Sequence, residues 1–420
     1  MMKVTILGAG SLGSVIGGAL SLAGADVTLV ARNREHVEAV NTSGLKIITD
    51  GLERTAYPLA VTDVSGLPEA ELLIVLVKSF ATKSAIEGAG SVIGEHTVVL
   101  TLQNGLGNEE LIAEMVGVEK VIGGKSYLGG VLISPGVVKA GIDGKETIIG
   151  ELDGSVTERV KAVAELFNSA CMSTTVSDNI KGLIWDKLLL NSSTGAVSAI
   201  SGLCYGELYK LPEIEKTACA AVSEGIAVAV HLGIKLSISD PKEIWEKARR
   251  GLAYDFKTSM LQSVQSGRPT EIDSINGALV RAAREIGLPS PVNTTLTACV
   301  KGLEAANRLK SETTKQGDKV DHTAIYVSDI DGCVNFFEKV FKMSVSDDRR
   351  AEPLRQSWLD SGIQLIEKSC RAGELAHIAI SCDDPKHVSD AAAVYGAKPV
   401  EGKENWFLAP CGIVVELVKN

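Results

Sequence analysis

Three sets of residues in this chain have types and spacings that could do chemistry. The first is Gly8-Ala9-Gly10-Ser11-Leu12-Gly13, a G-x-G-x-x-G run. Gly8 permits a tight turn, Gly10 lets the backbone approach a pyrophosphate, and Gly13 lets a helix pack closely on a strand. A helix starting here offers free N–H groups and a positive dipole end to phosphates. The second set is polar residues in apolar settings: Lys78, Gln103-Asn104-Gly105, Lys187, Asn191, Ser259 and Glu271. Lys187 and Asn191 stand four apart, so a helix puts them on one face, and Leu188-Leu189-Leu190 between them makes the surroundings apolar. The third is a pair of histidines, His322 and His377, each opening a His-x-Ala-Ile run.

The elements around the glycine run suit it. An apolar strand, Lys3 to Leu7, leads into the turn, a small-residue helix follows to about Ala23, and a second apolar strand spans Val27 to Ala31. That order and spacing are those of a dinucleotide-binding fold. The end of the second strand selects the cofactor. An acidic side chain there would take the ribose hydroxyls of NAD, but this chain has Arg32, with Arg34 two residues on and Glu35 as the nearest acid. A carboxylate repels a 2′-phosphate and a guanidinium holds it bidentately, so NADPH is expected. In open α/β sheets, ligands sit at the carboxyl ends of strands. Lys78 and Asn104 follow the apolar runs Glu71–Val77 and Thr97–Leu102, so both are expected at the cofactor crevice.

Length and composition bound the rest. With 420 residues the chain can form two or three domains, each with its own core. A net charge of −10 gives no basic footprint for a nucleic acid. No apolar run approaches membrane-spanning length, and no signal pattern opens the chain. Eight cysteines are scattered without a C-x-x-C pair. They are read as reduced residues of a cytoplasmic protein.

Along the chain the grammar changes twice. Residues 1–175 alternate strand and helix signals, as in a Rossmann domain, and residues 176–308 carry apolar residues at helical spacing. The polar, charged stretch 309–319 reads as a linker. Residues 320–420 then open with a strand at His322 to Val327 and a helix at Gly332 to Phe341, followed by three short strand signals. The pattern restarts at His377, with a helix near His387 to Tyr395 and a last strand at Ile413 to Val418. This is a tandem βαβββ repeat of about fifty residues a half. The expected fold class is therefore an α/β Rossmann domain, an all-helical domain, and an α+β tandem βαβββ domain.

The motifs GAGSLG, VKSFATKSAI, LQNGLGNEE, WDKLLLNSS and SMLQSVQSGRPTEIDSINGAL, in this order, resemble the ketopantoate reductase family over about residues 3–305. The resemblance implies a two-domain NADPH-dependent reductase of a small 2-keto acid. It implies Lys187 as general acid and Glu271 as a substrate-orienting carboxylate. It puts Asn104 beside nicotinamide and substrate, Lys78 near the cofactor end of the cleft, and Asn191 and Ser259 on the substrate. The chemistry is consistent on its own terms. Hydride delivered to a ketone carbon leaves an alkoxide, which needs a proton at hydrogen-bond distance. A partly desolvated lysine is the better donor for having a lowered pKa. Two positions depart from the family pattern. Gly195 stands where a second asparagine is expected, and Phe256 where the pocket has another. Losing two amides changes substrate discrimination more than hydride chemistry.

The last hundred residues resemble the vicinal-oxygen-chelate superfamily, which includes glyoxalase I. The resemblance carries the metal-ligand positions to His322, Gln364, His377 and Glu416. Such a set suits one divalent Zn, Ni, Fe or Mn. Members without a metal serve as binding or dimerisation modules, and a homodimer stays open.

The leading reading is reduction of a 2-keto acid, ketopantoate to pantoate by resemblance. Beside it stand a metal-dependent lyase or isomerase activity of the C-terminal module, and an NADP(H)-binding sensor that does not turn over.

Overall fold

Each apolar run that alternates with an amphipathic segment becomes one layer of the N-terminal half. The structure is a computed structural model describing residues 2–49, 51–315, 319–327, 329–341, 344–349, 354–359, 362–368, 375–382, 384–394, 396–408 and 414–419. In chain order, β1 (Lys3–Leu7), α1 (Ser11–Leu22), β2 (Asp26–Val30), α2 (Arg34–Ser43), β3 (Leu45–Thr49), β4 (Leu52–Ala56), β5 (Leu59–Val61) and β6 (Leu72–Val75) come first. They are followed by α3 (Thr82–Gly88), β7 (Val98–Thr101), α4 (Asn108–Val116), β8 (Val121–Ser126), β9 (Gly129–Ser134), β10 (Val137–Gly141), β11 (Thr147–Glu151), α5 (Glu158–Ser169) and β12 (Thr174–Val176).

Eight of these strands form one sheet in the order β12-β11-β8-β7-β6-β1-β2-β5. Its centre is parallel, and β11 runs antiparallel to β8. Leu72, Leu73, Ile74 and Val75 are buried along the whole of β6, as expected of a strand covered on both faces. A second sheet, β4-β3-β10-β9, packs against α1. Its short strands, with polar residues such as Glu53 and Arg54, carry no apolar run that announces them in the sequence.

The helical part contains α6 (Ile180–Ser201), α7 (Tyr205–Leu208), α8 (Pro212–His231), α9 (Pro241–Arg249), α10 (Ser259–Gln265), α11 (Asn276–Glu285) and α12 (Pro291–Lys315). The α6 helix is buried along most of its length, with Trp185, Leu188, Ala196 and Val197 in the core of this part. Its central position lets it touch β8 on one side and α8, α9 and α10 on the others. One expectation is corrected. The stretch 309–319 continues as helix as far as Lys315 rather than running as an irregular linker. Leu309, Lys310, Ser311, Glu312 and Lys315 all tolerate helix, and a polar composition removes the core-facing stripe without removing helix propensity. Residues 316–318 lie outside the described residues.

The chain divides into two compact units, Met1–Asn307 and Arg308–Asn420. The second contains β13 (Lys319–Val327), α13 (Ile330–Phe341), β14 (Val345–Arg349), β15 (Gln356–Leu359) and β16 (Ile363–Glu367). It repeats the pattern with β17 (Leu375–Cys382), α14 (Pro385–Val394), β18 (Lys398–Pro399), β19 (Trp406–Leu408) and β20 (Val414–Lys419). The sheet order is β14-β15-β16-β13-β17-β20-β19-β18. Each half is strand, helix and three strands, and the halves join along the antiparallel pair β13–β17. Tyr395, Ile413, Cys370 and Cys411 lie outside the described residues, and the other six cysteines are free thiols. Among the described residues, no helix is long and apolar enough to cross a membrane.

Candidate active site

The glycine turn has the geometry its residue types demand. Gly8 has φ +102°, and a Cβ on it would come within 2.6 Å of the Val77 nitrogen. A Cβ on Gly13 would meet the Gly8 carbonyl oxygen at 2.2 Å, so helix and loop approach too closely for any side chain. Gly10 differs, because a Cβ there would meet nothing within 4 Å. Gly10 caps α1 without a side-chain acceptor, which leaves the first N–H groups of that helix free for an anion. Ala9 is buried, Leu12 is partly buried, and Ser11 Oγ accepts from the Leu132 N–H at 3.1 Å. Arg32 lies just past β2 and is exposed, as is Arg34.

Lys78 and Asn104 both lie beyond the carboxyl ends of β6 and β7, as expected. Gln103 braces the two strand ends. Its Nε2 donates to the Val77 carbonyl at 2.6 Å and to Thr82 Oγ1 at 2.8 Å. The Asn104 carbonyl accepts from Ser79 Oγ at 3.1 Å and from Asn108 Nδ2 at 3.1 Å, which pins this loop. Gly105, at φ +96°, brings the loop against Ser274, whose carbonyl accepts the Leu106 N–H at 2.9 Å. A loop of the first sheet thus touches the turn that carries Glu271.

Glu271 sits in that turn, between α10 and α11, rather than on a helix. Pro269 disfavours helix, and the Thr270 N–H donates instead to Glu304 Oε1 of α12 at 2.6 Å. The Glu271 side chain is almost fully buried. Its Oε2 accepts from Lys78 Nζ at 2.6 Å, and Ser79 Oγ is 3.5 Å from Oε1. Lys78 therefore meets Glu271, a contact across 193 residues of chain.

Lys187 lies on α6, and its Nζ donates to the Ser126 carbonyl at 2.7 Å. Burial of the ammonium pushes its pKa down to about 8; Glu271 opposes that shift and Lys125 adds to it. Asn191 follows one turn along the same helix and is partly buried. Ser259 opens α10 and is exposed. Of the two departures, Phe256 packs edge-on to Tyr205 at 5.0 Å, whose hydroxyl donates to Thr194 Oγ1 at 3.0 Å. Gly195 faces Met260, with 3.5 Å from a Cβ to the methyl carbon. An aromatic and thioether surface occupies the side where two amides were expected.

Residues 4–154 match the family described as "Ketopantoate reductase PanE/ApbA", and residues 179–304 match "Ketopantoate reductase PanE/ApbA C terminal". The 2-dehydropantoate 2-reductase of Halobacterium salinarum is 37% identical over 304 residues, covering 71% of this chain and 98% of that protein. That of Pyrococcus horikoshii is 39% identical over 308 residues, covering 72% and 98%. The chain belongs to the ketopantoate reductase family. Among solved structures, a family member from Ralstonia eutropha JMP134 is 31% identical with a TM-score of 0.68. That match covers 73% of this chain and 100% of that one. A D-mandelate dehydrogenase bound to NADH and anilino(oxo)acetate is 28% identical, with a TM-score of 0.69 and coverage of 73% and 99%. The reductase family thus accounts for the first unit, and the matched segments end at residue 304.

The second unit has its own cluster. His322 on β13, His377 on β17 and Glu416 on β20 place ligand atoms within 4.8 Å of one another. His322 Nε2 and His377 Nε2 are 3.3 Å apart, and Glu416 Oε2 is 3.1 Å from His377 and 3.8 Å from His322. The hydrogen bond from His377 holds the Glu416 carboxyl below its ordinary range. Trp406 lies against His377, with centroids 4.5 Å apart. Gln364 stands on the neighbouring strand β16. Its Nε2 donates to Gln356 Oε1 at 2.8 Å, while among the described residues its buried Oε1 has no hydrogen-bond partner.

Proposed function

We propose that the first unit reduces ketopantoate to pantoate with NADPH. The observation that supports this most is Lys187. It is an ammonium brought near neutrality by burial, held by the Ser126 carbonyl, and acting on the same cleft as the Glu271–Lys78 pair. The relatives named 2-dehydropantoate 2-reductase supply the substrate. The cofactor fits the residues present: the space over Gly10 is open, the α1 N-terminus has no side-chain cap, and Arg32 is exposed just past β2, where a guanidinium can take a 2′-phosphate. When bound, NADPH supplies the hydride. Lys187 keeps a proton at Nζ for the alkoxide oxygen that hydride addition creates. Glu271, oriented by Lys78 and Ser79, accepts a hydrogen bond from a substrate hydroxyl, and Asn104, Asn191 and Ser259 complete the polar contacts. The six described cysteines, all free thiols, are in keeping with a cytoplasmic location.

The test is NADPH consumption against a panel containing ketopantoate and phenylglyoxylate, an aromatic 2-keto acid. Ketopantoate is expected to be the preferred substrate. Preference for phenylglyoxylate would contradict that substrate and assign the Tyr205–Phe256 surface to an aromatic acid. Bound NADPH with no turnover of any keto acid would leave a sensor.

A second reading, for the second unit, rests on the His322–His377–Glu416 cluster and on the buried Gln364 Oε1, unpartnered among the described residues, on the strand that pairs with β13. We propose that these four hold one divalent Zn, Ni, Fe or Mn in a glyoxalase-like vicinal-oxygen-chelate module. Two imidazoles with oxygen donors suit those ions, which polarise a ligand oxygen when bound. Chelator-treated protein refilled with Zn²⁺ is expected to bind about one ion per chain, as in a single site. The His322→Ala/His377→Ala double variant should bind none, with reductase turnover unchanged. Equal binding by both proteins would remove the site.

A further inference from the structure

Strand β8 reads Val121-Ile122-Gly123-Gly124-Lys125-Ser126, and all six residues are buried. Lys125 is only 7% exposed. A lysine so placed is normally paired with a carboxylate, because an unpaired buried ammonium is costly. Among the described residues no carboxylate reaches Lys125 at ion-pair distance. Asp186 of α6 and Glu146 before β11 act on it from further off, and Lys247 of α9 opposes them.

The position of this cation matters. By strand alternation Lys125 shares a face of β8 with Gly123, where a Cβ would meet Ile184 of α6. It therefore projects to the side covered by the helix that carries Lys187. Lys125 Nζ is 5.6 Å from the centre of the Tyr127 ring, and Lys187 Nζ is 6.0 Å from the same ring. The next residue, Ser126, holds Lys187 through its carbonyl. Two ammoniums therefore lie near one aromatic ring. Glu271 acts on Lys187, while the carboxylates that act on Lys125, Asp186 and Glu146, stay beyond ion-pair distance of it.

A 2-keto acid has the matching chemistry, with a carboxylate and a ketone oxygen on adjacent carbons. We propose that Lys125 is the second substrate-binding cation of the cleft, taking the carboxylate of the 2-keto acid while Lys187 serves the ketone oxygen. This rests on the reading of the cleft as a keto acid reductase site. It also gives the substrate a charged anchor on strand β8.

The probes are 2-oxoisovalerate and its neutral methyl ester, with wild type, Lys125→Gln and Lys125→Arg. In Lys125→Gln the KM for the acid is expected to rise by at least about 30-fold, the lower end of the scale for losing one partner of a buried charge pair. Its kcat should change little, and the ester should be almost unaffected. Lys125→Arg should recover most of the acid's KM. Calorimetric binding of 2-oxoisovalerate to the NADP⁺ complex should show the same contrast without turnover. Parallel losses for acid and ester, or unchanged binding of the acid by Lys125→Gln, would overturn the assignment of Lys125 alone. A wild-type NADP⁺ complex that binds no 2-keto acid would overturn the functional reading, and this inference with it.

Discussion

Alanine at Lys187 is expected to lower kcat by about 10²- to 10⁴-fold, the scale of losing a general acid, while NADPH affinity stays near wild type. Lys187 lies on α6, away from the glycine turn, so the cofactor loop keeps its geometry in the variant. The pH profile checks the same assignment. Burial has moved the ammonium from the ordinary lysine range to about 8. Reduction needs the protonated form, so wild-type kcat/KM should fall tenfold per pH unit above about 8, rather than above the ordinary lysine value. The residual rate of Lys187→Ala should lack that limb. A near-wild-type rate, or an unchanged alkaline limb in the variant, would remove Lys187 from proton transfer.

Alanine at Gly10 is expected to weaken NADPH binding by at least about tenfold, the equivalent of roughly 1.4 kcal/mol, while the fold is kept. The argument is one of space. At Gly8 and Gly13 an added Cβ would strike backbone, so those glycines serve the folded chain itself. At Gly10 it strikes nothing, and its φ of −79° is open to any residue. No feature of the protein requires glycine there, so the requirement comes from a ligand approaching the backbone. An alanine N-cap should cost no more than about 1 kcal/mol of stability. Calorimetry of NADPH binding beside thermal unfolding separates the two effects. Unaltered affinity would mean that no phosphate group passes over Gly10.

These two positions also show what was legible in the sequence. The glycine run could be read because each glycine answers a local backbone demand, and the i, i+4 spacing of Lys187 and Asn191 because α6 is long and regular. The tandem βαβββ unit was readable because the same short grammar occurs twice. Contacts that depend on distant chain were not readable. Lys78 meets Glu271 only because Gly105 lets one loop close on the Ser274 turn. The turn around Glu271 is set by Glu304 on α12, which no local pattern announces. The β4-β3-β10-β9 sheet escaped because pairing β3 with β10 needs strands far apart in sequence. Lys125 did leave a signal, a single charge at the end of an apolar and glycine run, but its meaning depended on which face α6 covers.

The most direct test of the account is a single-turnover reaction of the protein with ketopantoate and NADPH deuterated at the transferable C4 position. The account predicts pantoate carrying one deuterium at C2, formed by the wild type and at a greatly reduced rate by Lys187→Ala. NADPH oxidised with no deuterium in pantoate, or no pantoate formed while NADPH remains bound, would contradict it.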